Sequence, residues 1–176
     1  MDKDSQTLAL LQTLDRLPGP DHLEFPDGFD YASAKNRAIR LEDRLTQDFG
    51  HVCGLDDQIQ DASYSFQVAI PAEATEADVP AYVRLSNFGN LAVAFALRPD
   101  SHDDLDQAVQ KGALTTADRS RIESAAHDFG YTLVPPRLLH RPYDGVTWLA
   151  GGRPFHASYG PHRSRATWWT RYFEYV

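Results

Sequence analysis

A chain of 176 residues with 42% hydrophobic and 24% charged side chains has the length of one domain and the composition of a folded protein, since domains cluster near about 100–150 residues. Disorder, collagen and coiled coil are excluded, and residues 1–176 are read as a single domain. Seventeen Lys and Arg against 25 Asp and Glu give a formal charge of −8, which opposes tight nucleic-acid binding because phosphate neutralisation dominates that affinity.

No apolar run approaches the ~18 residues of a membrane span. The start, Met1-Asp2-Lys3-Asp4-Ser5, lacks the basic and apolar parts of a secretion signal. The single cysteine, Cys53, excludes an internal disulfide, as suits a reducing compartment. A cytoplasmic chain without a membrane partner is expected, and 14 arginines against three lysines point to a GC-rich bacterial genome.

The charge is uneven. Residues 1–130 carry a net −12, whereas residues 131–176 carry +4 and all three tryptophans, Trp148, Trp168 and Trp169. A basic end of this kind is either an anion site or a segment docked on the acidic remainder of its own domain.

The first predicted element is a helix starting near Asp4 or Ser5, with Leu8, Leu11 and Leu14 on one stripe, and Leu10 and Leu17 widening it. Pro18-Gly19-Pro20 ends it. Asp30 caps a second helix whose Ala34, Ala38, Leu41, Leu45 and Phe49 form one face before Gly50. Alternation at Tyr64, Phe66, Val68 and Ile70 marks a half-buried strand. Residues 81–86 and 91–97 follow as strands around Asn87-Phe88-Gly89-Asn90, with a positive φ expected at the glycine. The third strand is apolar on both faces and carries alanines on one, so it is expected at the centre with a helix close over that side. Ser101 caps a short helix ending at Gly112, and Thr115 with Asp118 opens a clearer one with Ile122, Ala125, Ala126 and Phe129 inward. Tyr131 to Val134 is a short strand stopped by Pro135-Pro136, Leu138-Leu139 a helical turn, and Thr167 to Val176 a terminal strand. The sum is an α+β fold, an antiparallel meander plus a C-terminal strand with N-terminal and central helices packed on it.

Chemistry is sparse. His140, Asp144, His156 and His162 fall within 23 residues and are the candidates for metal or acid/base work, although their spacing matches no established ligand pattern. His51 and Cys53 share one side of an extended chain but lack an orienting group, and a buried structural cysteine is the simpler account. No nucleophile elbow and no glycine-rich phosphate loop occurs. No cofactor, metal or catalytic residue is therefore expected. Arginines interleaved with rings from Arg163 to Tyr175 resemble a stacking platform for single strands, but alternation would put one face in the core and pair Arg171 with a carboxylate.

The carboxylates offer a different site. Asp56, Asp57 and Asp61, then Glu73, Glu76 and Asp78, then Asp100, Asp103, Asp104 and Asp106 lie on loops or at a helix start, and together would make a negative face that steers a basic partner. The partner-binding residues expected from this are Asp56, Asp57, Asp61, Asp100, Asp103, Asp104 and Asp106.

In size and pattern, and in Arg84 to Leu91, Tyr143-Asp144-Gly145 and Trp168 to Tyr175, the chain resembles bacterial immunity proteins that neutralise polymorphic or contact-dependent toxins. The likeness is one of class and assigns no residue. It implies a non-enzymatic inhibitor that binds one cognate, basic toxin and covers its active site or blocks its docking. The alternative is a small hydrolase or metal-dependent enzyme using the C-terminal His and Asp residues.

Overall fold

The structure, a computed structural model, describes residues 1–18, 25–56, 66–147 and 157–174. Period-two alternation makes Phe66–Ile70 strand β2, with Phe66, Val68 and Ile70 buried and the residues between them half-exposed. Ala81–Leu85, strand β3, repeats the pattern, and Leu91–Ala96, strand β4, is buried throughout. Antiparallel pairing lines up Ile70, Ala81 and Ala96 at one end of the sheet and Phe66, Leu85 and Ala92 at the other. Two short strands extend the meander. Gly54–Asp56 (β1) pairs antiparallel with β2, and Thr132–Leu133 (β5) pairs parallel with β4, which gives an open sheet in the order β1-β2-β3-β4-β5.

Helices cover both faces. Tyr31–Phe49 (α2), Leu105–Gln110 (α3) and Thr116–Asp128 (α4) share a core with Val68, Ile70, Val83 and the alanines of β4, Ala92, Ala94 and Ala96. A methyl side chain lets a helix approach closely, so the alanine face is where the long helices sit, and β4 is central as its two apolar faces require. On the opposite face Leu91, Val93 and Phe95 pack with Lys3–Asp15 (α1), Pro136–Leu139 (α5) and Trp168–Phe173 (α6).

Local signals place the helix ends. Asp30 caps α2 by accepting from Ser33 N at 3.2 Å. Thr115 and Asp118 form a full capping box on α4. Two starts differ from expectation: α1 begins two residues earlier on Asp2, and α3 is capped by Asp104 rather than Ser101. α1 also stops at Asp15, which leaves Leu17 43% exposed, outside the stripe. In the β3–β4 loop Gly89 has φ 52 and packs against Leu14, where any β-carbon would collide. Among the described residues no helix is long and apolar enough to cross a membrane.

The expected C-terminal strand is instead helix α6. Thr167 and Thr170 form its capping box, and Trp168 to Phe173 are all buried. A helix enclosed on every side has no polar stripe, so its sequence shows no 3.6-residue period and its aromatic, β-branched content reads as strand. Helical spacing appears in the ring contacts: Trp168 stacks on Tyr172 at 5.9 Å and Trp169 on Phe173 at 5.4 Å.

An ion pair locks α6 to α1. Arg171 Nε donates to Asp15 Oδ1 at 2.7 Å, with both side chains at most 5% exposed. Asp15 Oδ2 accepts from Tyr143 Oη and Val146 N, each at 2.7 Å, and from Thr147 N at 3.2 Å. Burial alone raises the Asp15 pKa, but the donors from Tyr143, Arg171 and the two amides outweigh it and hold the carboxyl below its ordinary value. The expected carboxylate partner of Arg171 is thus present, on the far end of the chain.

Candidate functional site

Antiparallel registration gathers two of the three acidic groups. The loops leaving β2 (71–80) and β4 (97–104) depart from the same end of the sheet, where Leu97 N donates to Pro80 O at 3.0 Å. Buried Asp118 fastens the first loop to α4 by accepting from Glu76 N at 3.0 Å. Glu73, Glu76 and Asp78 therefore share an end with Asp100, Asp103, Asp104 and Asp106. Asp56 does not. It pairs with Gln67 and so lies level with Arg84 and Val93, toward the opposite end, where its charge acts on the Arg84 guanidinium. Asp57 and Asp61 lie outside the described residues.

The charges at the gathered end are partly answered from within. Asp100 accepts from Gly160 N and Arg163, each at 3.1 Å, and faces Arg98 at 3.2 Å. Its burial works to raise the pKa, but these neighbours reverse that and hold the carboxyl low. Asp106 pairs with Arg119, Glu76 with Arg121 at 3.1 Å, and Asp104, the α3 cap, has Arg137 at 3.6 Å. Glu73, Asp78 and Asp103 are exposed and carry no ion pair among the described residues. At this end of the sheet Leu97, 48% exposed, is held at φ 65, a region costly for a bulky side chain and concentrated at functional sites.

On the same end a cleft of about 270 Å³ opens between residues 100–103, the end of α5 and residues 160–162. His102, His140 and His162 line it with Asp100, Asp103, Arg137 and Arg141. His140 is buried, its Nε2 is 3.0 Å from Pro99 O, and its ring lies 5.7 Å from that of Trp169. Burial, helped by Lys111, pushes the His102 imidazole below its ordinary pKa. Two of the four expected C-terminal groups, His140 and His162, thus line one cleft, together with His102. Asp144 is elsewhere, accepting from Trp168 Nε1 at 3.2 Å, and His156 lies outside the described residues. Among the described residues no three His, Cys, Asp or Glu side chains come together as metal ligands.

Other candidates resolve into structure. Cys53 is buried, which pushes its thiol pKa up, and its Sγ donates to the His51 carbonyl rather than meeting the imidazole. Trp168, Trp169, Tyr172 and Phe173 are at most 4% exposed, so these rings are core and offer no face to a nucleobase. No protein-family model, no curated protein and no solved structure is similar to this chain.

Proposed function

We propose that the chain is a non-enzymatic protein-binding module, an immunity protein that neutralises a basic cognate toxin in the cytoplasm, and that it meets this toxin with the acidic end of its sheet. One observation carries the reading. Residues 71–80 and 97–123 hold nine carboxylates against four Lys or Arg, and those without an ion pair, Glu73, Asp78 and Asp103, leave the same end of the sheet as the exposed, strained Leu97. A surface of one sign speeds association, and an apolar anchor within it slows dissociation. Asp100, Asp104 and Asp106 belong to this face through their shared end of the sheet, whereas Asp56 is set apart from it.

Co-purification with the product of the adjacent reading frame tests the proposal. A complex that survives at micromolar concentration is expected; an adjacent product that is no toxin, or does not bind, removes the reading. A second reading, hydrolysis by the C-terminal histidines, draws on the meeting of His140 and His162 in one cleft. Against it, His140 Nε2 and Asp144 already hold structural hydrogen bonds.

A further inference from the structure

Alternation in β3 turns Val83 and Leu85 toward α2 and α4, and Tyr82 and Arg84 toward the opposite face. There the Arg84 guanidinium lies 5.5 Å over the ring of Trp169, which is fully buried. Stacking covers one face of the guanidinium and leaves its five N–H donors, which point outward in its plane, to find acceptors elsewhere. Among the described residues they find none, because Arg84 makes no hydrogen bond and no ion pair. Arg119, Arg121, Arg137, Arg163 and Arg171, by contrast, each hold a carboxylate. Burial pushes the Arg84 pKa down, against the opposing pull of Glu174, Tyr159 and Asp56. A desolvated charge without a counter-ion costs free energy that an apolar side chain in its place would not, and a cation–π contact returns only part of it. Packing therefore does not account for an arginine at this position.

The polar groups around Arg84 are open as well. Gln67 is its partner on β2 and shares its face, Tyr82 lies two residues before it, and the ring of Tyr159 stands 5.7 Å from that of Trp169. All three are partly exposed, and neither the Gln67 amide nor the two phenol hydroxyls hold a hydrogen bond among the described residues. The two nearby carboxylates do not fill the site. Glu174 spends both oxygens on Ser158 N, at 2.9 and 3.1 Å, and Asp56 stands two strands away in the same row, beyond Gln67. The charged group without a counter-ion is thus a donor, which selects an anion over a cation, while the negative background favours one charge over two. Water can accept from the N–H groups but cannot neutralise the charge; the two oxygens of a carboxylate match the guanidinium fork and do both. We infer that the β2–β3 half of this face, centred on Arg84, is a binding site for a monoanionic carboxylate, held bidentately by the Arg84 fork with Gln67, Tyr82 and Tyr159 beside it. It lies toward the opposite end of the sheet from the acidic loops, and it does not rest on the function proposed above.

Titration of the isolated protein with benzoate, a glutamate dipeptide blocked at both ends, methylammonium and inorganic phosphate tests the inference. The Arg84 Nε–H and Trp169 indole N–H resonances report it, the second in the Arg84→Met variant too. A carboxylate should shift both signals saturably, methylammonium should leave them unmoved, and phosphate should bind at least tenfold more weakly. Tighter binding of benzoate assigns the site to a small acid, and tighter binding of the dipeptide to an acidic side chain of a partner. Arg84→Met should bind at least tenfold more weakly, as loss of a charged donor does, while its melting temperature stays level or rises because a desolvated, unpaired charge has gone. No saturable shift with either carboxylate, phosphate binding as tightly, wild-type affinity in Arg84→Met, or a lower melting temperature in that variant would overturn the inference.

Discussion

Leu97 and Asp15 are held against their intrinsic preferences, and each makes a prediction. Glycine accepts φ 65 at little cost, so Leu97→Gly is expected to leave stability unchanged or raise it by up to about 1 kcal/mol, while weakening the complex with the proposed toxin partner. Denaturant unfolding beside a binding titration checks this; a destabilised Leu97→Gly, or one that binds as wild type does, contradicts the anchoring role. Asp15 has a folded-state pKa below its unfolded value of about 3.9. Its stabilisation is therefore complete above that value and is lost as pH falls through the folded one. Arg171→Met should cost about 3 kcal/mol near neutral pH, because it strands a buried carboxylate. The deficit should narrow below about pH 4, as the wild type loses the same contribution. Urea unfolding across that range measures it, and a deficit independent of pH would mean that Arg171 acts only through its packing against Phe88 at 4.4 Å.

At the scale of elements, α2, β2, β3, α4 and the Leu138-Leu139 turn were legible because each has a polar side to contrast with its buried one. β4 was legible for the opposite reason: continuous burial with alternate alanines specifies a central strand under helices. α6 was misread because burial on all sides erases the period, although Thr167 with Thr170 three residues on carried a cap signal that the aromatic run obscured. Replacing that cap, Thr167→Ala, should cost about 1–2 kcal/mol and can be measured by thermal unfolding; a terminal strand would lose far less. β1, with three residues, was too short to show alternation. The site was legible in kind only. The sequence named the carboxylates of residues 73–78 and 100–106, but their shared end follows from the β2–β3–β4 register. Their partial neutralisation by Arg119, Arg137 and Arg163 depends on contacts with Asp106, Asp104 and Asp100 that span from 13 to 63 residues of chain, which no local pattern encodes.

For the whole molecule, the −12 body and +4 tail do not form opposed lobes. The basic segment runs back across the acidic one: Arg171 enters the core on Asp15, Arg137 reaches Asp4 and Arg163 reaches Asp100. Among the described residues Glu73, Asp78 and Asp103 are exposed carboxylates left without an ion pair at one end of the sheet, while Asp27 and Asp43 are others elsewhere. A steering surface acts on the association rate and is screened within about 8–10 Å at physiological salt. The most direct measurement is the association rate constant with the proposed toxin partner as a function of ionic strength, for the wild type and for the triple variant Glu73→Lys, Asp78→Lys, Asp103→Lys. The wild-type rate should fall steeply with added salt, and the variant should associate at least tenfold more slowly at low salt with a nearly flat dependence. Equal rates and equal salt dependence in the two proteins would show that the acidic end of the sheet is not the surface that meets the partner.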